Sequence, residues 1–415
     1  MSGTRRLLLA SAGLFAAMLL LMMSRGLTNV LVGVRAELQG FNTTVSGVVM
    51  AAYFIGFLAG AKLTPRVIAT VGHARVFGGL ASLVAVSTLI HAIWVTPLAW
   101  SLLRVVFGFA MAGSFVVAES WLNEAASNQN RGRVMSAYMV VSMGGAALGT
   151  LLLSFAEPDG STPFIVAAIF ASFSVVAVSL ARGDAPQFEL PPPVKLREVW
   201  RSAPVGVWTS TFAGLANAAT IGMAGVYAIQ IGMSPSLAAV FAAASPVGSV
   251  LLQWPIGHLS DSIGRRRVIF VGALAASSAA VLGAAIDDAQ GLLVVAMLVF
   301  GAFSYPMYSL ALTHVTDVLP VGQAVVASST IVFTTGVGSI VGPVAAAVAM
   351  ESVSVSGFWW TVATAHALIA VFAAANSLRR PEARQALINR YLAIPARSSG
   401  FMRPGPGPES ESEGI

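Results

Sequence analysis

Arg25, Thr28 and Asn29 stand at i, i+3 and i+4 inside a stretch that is otherwise apolar from 7 to 34. On a helix that spacing puts them side by side on one face, where a guanidinium offers a planar fork of donors to a carboxylate or phosphate. Arg104 lies in another apolar stretch, 98–122, and Glu119 follows fifteen residues on. Helix geometry separates that pair by about 60° in azimuth and ~22 Å along the axis, so they share a side without touching. Arg25 and Arg104 have no acid at their depth in this part of the chain, and Glu37 is the nearest carboxylate in sequence. Two unpaired cations suit an anionic group on a solute; the alternative is that they bond to helix carbonyls or to neighbours across a bundle. Glu119, near the end of its stretch, is either a partly exposed acid or a buried carboxyl whose protonation couples to a working cycle. Asn217 with Thr220, and Tyr305 with Tyr308, are further polar pairs inside apolar stretches, and for the tyrosines ordinary packing is one reading. His91, His314 and His366 read as interfacial or packing residues.

Enzyme chemistry finds no foothold. The chain has no cysteine, which removes thiolate nucleophiles, disulfides and thiolate metal sites together. Its only lysines, Lys62 and Lys195, are each followed by leucine, so there is no phosphate-binding Gly-Lys-Ser/Thr loop. No His-Glu-x-x-His, histidine cluster or Gly-x-Ser-x-Gly elbow occurs. No cofactor and no metal are expected.

The elements that must carry these residues follow from composition. Of 415 residues 56% are hydrophobic and 10% charged, and the mean hydropathy is +0.81, against about 25% charged in soluble domains. Twelve apolar segments lie near 7–34, 45–63, 76–95, 98–122, 134–155, 163–181, 204–231, 236–257, 268–286, 291–314, 324–350 and 358–378. Each spans a hydrocarbon core of about 30 Å as a helix, and continuous apolar runs exclude the short alternating strands of a membrane barrel. Arg5 and Arg6 ahead of the first segment could belong to a signal peptide, but with eleven spans following, a retained first helix is expected. Twelve crossings put both termini on one side. Alternate loops then give that side 20 of the 23 basic residues and the other side only Arg35, so the positive-inside rule makes the termini cytoplasmic. In a chain this apolar the net charge of +6 speaks of membrane orientation, and no nucleic-acid partner is expected.

The chain also repeats. Shifting it by 192 or 193 residues lays Gly72 to Val76 on Gly264 to Val268, Phe107-Gly108 on Phe300-Gly301, Glu124 on Asp317, Gly145 and Gly149 on Gly338 and Gly342, Arg25 on Asn217 and Thr28 on Thr220. This predicts two parallel six-helix units, 1–181 and 204–378, joined by a proline-rich cytoplasmic linker, 182–203, and followed by a cytoplasmic tail, 379–415. The tail reads as a short basic amphipathic helix over 379–394 and as disordered from 403 onward.

Gly257-His258-Leu259-Ser260-Asp261-Ser262-Ile263-Gly264-Arg265-Arg266-Arg267 closely resembles the signature loop of the major facilitator superfamily. The corresponding stretch, Pro65 to Arg75, is a degenerate copy, with Pro65 in place of the first glycine and Ala69 in place of the acid. Arg104 with Gly108 resembles the family's second motif, and Glu119 with Trp121, Asn123 and Glu124 is similar to a poorly characterised bacterial branch. Gly338 to Gly342-Pro343 resembles the family's antiporter motif, displaced from the fifth span to the eleventh. The resemblance implies an all-α integral membrane fold of twelve helices in two pseudo-symmetric bundles. It also implies a secondary transporter working by alternating access around a cavity lined by the first, fourth, seventh and tenth spans, which makes Asn217, Thr220, Tyr305 and Tyr308 candidates for lining it beside Arg25, Thr28, Asn29 and Arg104. Within the loop, Gly257 and Gly264 permit a tight turn and close approach, Arg265 to Arg267 anchor the segment at an anionic leaflet, and Asp261 is suited to a helix start. The repeat makes that partner the fifth span, which begins Arg131-Gly132-Arg133, and the set is expected to form a conformational latch. The reading is a monomeric transporter, in the inner membrane, of a small organic solute, anionic or amphipathic, coupled to protons. A membrane scaffold or sensor that kept the fold is the alternative.

Overall fold

The structure, a computed structural model, describes residues 12–125, 131–180, 196–286, 289–319 and 323–379, without the side chains of 124–125, 131–133, 324–325 and 378–379. The expected tail helix, the end expected to be disordered and most of the linker lie outside these residues. Among the described residues twelve helices have the length and apolarity to cross a membrane. They are α1 Ala12–Leu38, α2 Thr43–Val71, α3 His73–Ile93, α4 Pro97–Ala125, α5 Arg131–Leu152 and α6 Thr162–Ser179 in the first half. The second half holds α7 Pro204–Gln230, α8 Pro235–Ile263, α9 Arg265–Ala284, α10 Gln290–Val318, α11 Ala324–Ser352 and α12 Gly357–Arg379. The start of α1 and the end of α12 share one face, called here the terminal face; the opposite one is the distal face.

Large apolar side chains such as Val140, Phe173, Leu251, Val271, Leu282 and Val371 stand exposed on the outside of the bundle. Water would penalise that surface, whereas lipid tails accept it and compel the backbone to satisfy its own hydrogen bonds as helix. Within each half the same pairs pack: α1 with α5 and α6, α2 with α4, and α3 with α4 and α6, repeated as α7 with α11 and α12, α8 with α10, and α9 with α10 and α12. Across the seam α2 packs on α11, α1 on α7, and α5 on α8.

The repeat reaches the level of single atoms. Gly108 and Gly301 are the contact points of α4 on α2 and of α10 on α8: a Cβ there would stand 1.9 Å from the Tyr53 carbonyl oxygen and 2.0 Å from that of Ser245. Gly72 (φ 88°) and Gly264 (φ 98°) turn the chain from α2 to α3 and from α8 to α9, in a left-handed conformation that other residues resist. The resembling signature segments are therefore helix ends closed by one glycine, and not loops, because α2 and α8 run on to Val71 and Ile263.

Two departures from the expected layout matter. Leu196–Ser202, inside the expected linker, is helical, and its Trp200 packs on Trp208 at 5.5 Å between ring centres. The tenth span is broken at Tyr305, where Pro306 starts a new helical segment and supplies no N–H to continue the ladder.

Candidate functional site

A cavity of about 130 Å³ lies on the seam between the halves. α1 contributes Arg25, Gly26, Asn29 and Val30, and α2 contributes Phe54, Phe57, Leu58 and Ala61. From the second half come Asn217 and Thr220 of α7, Ser245 of α8, Tyr305 of α10, and Thr335 and Ser339 of α11, while α5 adds Met143 and Thr150. The fourth span, expected among the lining helices, contributes nothing directly. α2, α5, α8 and α11 take part because they are the helices that meet across the seam.

Arg25 is buried and donates from Nε to the Tyr53 hydroxyl at 3.3 Å. Arg104 lies behind it, 1% exposed, and donates from Nη1 to Asn29 Oδ1 at 2.9 Å. Its guanidinium sits 4.8 Å from the centre of the Tyr53 ring and 5.4 Å from that of Phe107. Tyr53 thus serves both cations, by its oxygen for one and its π-face for the other. Among the described residues neither arginine pairs with a carboxylate. Glu37 is engaged elsewhere, accepting from Gln230 Nε2 at 3.1 Å. Burying such charges is costly unless something compensates them.

Of the sequence candidates, Arg25, Asn29, Asn217, Thr220 and Tyr305 meet in this cavity. Three do not. Arg104 reaches it only through Asn29 and Tyr53. Thr28 turns its hydroxyl back on α1, donating to the Ser24 carbonyl at 2.8 Å, an i−4 bond open to any helical threonine. Tyr308 is buried among Val207, Leu312 and Ile331, because it lies beyond the break at Tyr305 on the side packed against α7 and α11. The residue that sequence reasoning missed is Tyr53. It looks like one more apolar position of α2, and only the spacing of Phe54 and Phe57 beside it hints at an aromatic patch.

At the terminal face, Arg265 binds Asp261, reaches Asp317 Oδ2 from Nε at 3.1 Å and donates from Nη1 to Ser260 Oγ at 2.6 Å. Asp261 therefore has a partner at i+4 within its own half, and Gly264 makes the turn between them. Gly257 is buried on α8. The expected partners across the seam, Arg131 and Arg133, have side chains outside the described residues. Where Arg265 sits in the second half, the first half has His73, which is buried and bonded to Ser120 Oγ at 2.9 Å. Glu119 is buried nearby and accepts from the Tyr138 hydroxyl of α5 at 3.3 Å; it is an interior carboxyl, not a surface one. His91 and His366 bond to carbonyls of their own helices, at Ser87 and Val362, and pack against Trp100 and Phe300.

The distal end of the seam is closed by side chains from both halves. Glu351 accepts from Asn42 Nδ2 at 2.7 Å, from Thr44 N at 3.1 Å and from the Thr44 hydroxyl. Gln230 bridges Glu37 and Thr43, and the Ser154 and Ser236 hydroxyls each donate to the other's carbonyl. Below them Gly222 fits against Met50 and Pro343, and Gly47 against Ala347. Arrangements of this kind can hold one side of a cavity shut and release it by exchanging a few hydrogen bonds for water.

Comparison with known proteins agrees with this architecture. A family model described as Major Facilitator Superfamily matches residues 14–245 and 206–396. A protein of Escherichia coli called uncharacterized MFS-type transporter YcaD is 26% identical over 343 residues, 82% of this chain and 89% of that one, and the Shigella flexneri protein of that name matches equally. Among solved structures the nucleoside transporter NupG superimposes with a TM-score of 0.73 at 15% identity over 88% of this chain and 98% of that one. A bacterial homologue of the human lysosomal transporter Spinster, inward-facing and unoccupied, gives 0.69 at 14% over 98% and 100%.

Proposed function

Because the chain belongs to the major facilitator superfamily, we propose that it is a secondary transporter of a small organic solute, anionic or amphipathic, working by alternating access. The observation that carries this reading is the cavity on the seam, with polar groups from both halves around it and a distal closure made of breakable side-chain bonds. Rocking of one half on the other would open that closure while the terminal end closes. The chain is a multi-pass membrane protein of this type, and the excess of arginine on the terminal face argues that this face is cytoplasmic in a bacterial inner membrane.

Coupling to protons is assigned to Glu119. It is buried, ionisable, bonded to α5 across its own half, and carried on the same helix as Arg104, so its protonation can bias how α4 and α5 sit. In proteoliposomes, solute flux should follow an imposed proton gradient. Glu119→Gln should lose gradient-driven accumulation and keep counterflow exchange, since exchange of bound solute need not release the proton. Full accumulation in that variant would reduce Glu119 to a structural acid, and absence of any solute-dependent flux in the parent would remove the transport reading.

A further inference from the structure

The hydrogen bonds already made around the cavity determine which atoms are left for a ligand. Asn29 Oδ1 is occupied by Arg104, and Asn217 Oδ1 accepts from the Ser304 hydroxyl at 2.7 Å. Asn29 is thereby fixed with its acceptor turned to the protein, because a guanidinium only donates, and in the arrangement seen the NH₂ group of each asparagine, which has no protein partner, remains for the cavity it lines. Arg25 spends its Nε on Tyr53 and keeps both terminal nitrogens unengaged. Apart from the Thr150 hydroxyl, which donates to the Gly26 and Ala146 carbonyls, the first half therefore presents donors and positive charge only. The second half presents no charge: beside Asn217 it offers the hydroxyls of Ser245 and Thr335, both buried without a hydrogen-bond partner.

We infer that the solute is a hydroxylated monocarboxylate, bound with its carboxylate on Arg25 and Asn29 and its hydroxyl end toward Asn217, Ser245 and Thr335. One guanidinium with two free nitrogens matches one carboxylate in a planar two-point contact, and the neutral hydroxyls opposite match groups that both donate and accept. Arg104 and Ser304 are positioning residues: they touch no solute and act by holding the two amides. This inference rests on the transporter reading and names the class of solute for the same cavity.

The test uses the purified full chain, thermal unfolding in detergent, and four probes: glycerate, glycerol, propionate and glycerol phosphate. Glycerate should raise the unfolding midpoint in a saturable way, with apparent affinity about tenfold or more above that for glycerol and propionate. Asn29→Asp is the discriminating variant. It retains the acceptor for Arg104, so the protein should unfold at or above the parent temperature, yet it replaces the NH₂ donor by a carboxylate and should abolish the glycerate response. Arg25→Lys should weaken glycerate about tenfold and leave glycerol unchanged. Arg104→Lys should lower the ratio of glycerate to glycerol affinity, a selectivity that a merely structural role would not move. Equal binding of glycerol or propionate, tighter binding of glycerol phosphate, or an undiminished glycerate response in Asn29→Asp would overturn the inference. Counterflow of a neutral solute without glycerate binding would leave the transporter standing and sink the carboxylate; glycerate binding without flux into liposomes would do the reverse.

Discussion

The two halves share a scaffold and differ in where they keep their charge. At the centre, Arg25 and Asn29 of the first half correspond, 192 residues on, to Asn217 and Ile221, and Arg104 corresponds, 193 residues on, to the buried Met297. At the terminal face the order is reversed: Asp261 and Arg265 of the second half stand where the first has Ala69 and His73. Helix pairings and glycine contacts recur in both halves, so neither charge set is needed to build a six-helix bundle. The symmetric part answers to packing. The asymmetric part answers to what the cavity binds and to how the terminal face is held.

The comparison can be broken first at its symmetric part, where the effect should be largest. Gly108→Ala and Gly301→Ala each drive a Cβ against a backbone oxygen, and both should lose about 3 kcal/mol, the upper range for overpacking, visible as matched drops in unfolding temperature. A severe loss in one half and tolerance in the other would end the claim of equivalent scaffolds.

Next comes the central asymmetry. Arg25→Asn, which copies the second half's residue, should keep the fold and reduce transport of an anionic solute by about a hundredfold, as for a lost charge-assisted contact of 2–3 kcal/mol. Asn217→Ala should cost about tenfold. Equal effects on flux would erase the polarity of the site.

A smaller effect is expected at the seam. Glu351→Gln keeps the size of the side chain and weakens its bonds to Asn42 and Thr44 by about 1 kcal/mol, enough to raise the distal-open population about fivefold. The chain contains no cysteine, so one introduced at Val34 gives an uncomplicated labelling rate, which should rise accordingly; an unchanged rate would remove Glu351 from the closure. The smallest change is expected for Asp261→Asn, because the buried Arg265 keeps Asp317 and Ser260 as partners while Asp261 itself is partly exposed. It should shift the balance of the two states about twofold and slow transport without unfolding the protein.

Much of this was legible in the sequence, because hydropathy and period are written residue by residue. The apolar runs located all twelve helices, and the shift of 192 or 193 residues lays Gly108 on Gly301, which the structure puts in equivalent contacts. Arg25 and Asn29 stand out in the sequence because a charged or polar residue in a membrane span needs a reason, and both line the cavity. What failed was azimuth. Thr28 shares a face with Arg25 by spacing, yet its hydroxyl is consumed by Ser24. Tyr308 was separated from Tyr305 by a helix break whose angle Pro306 announces without specifying. For Arg104 the sequence leaves a solute contact and a bond to neighbours across the bundle both open, because nothing in its own helix shows that Asn29 and Tyr53 are its partners. Tyr53 itself has an apolar ring in an apolar run, and its role exists only across three helices.

The central claim is that one cavity faces the two sides of the membrane in turn. It is tested most directly by a single cysteine at Thr220, which lines that cavity, in protein reconstituted with known orientation. A membrane-impermeant thiol reagent should label Thr220→Cys from the terminal face and from the distal face in separate experiments, and Glu351→Gln in the same background should increase distal labelling at the expense of terminal labelling. Labelling from one face only, unmoved by Glu351→Gln, would contradict the account and leave a static membrane protein with a pocket.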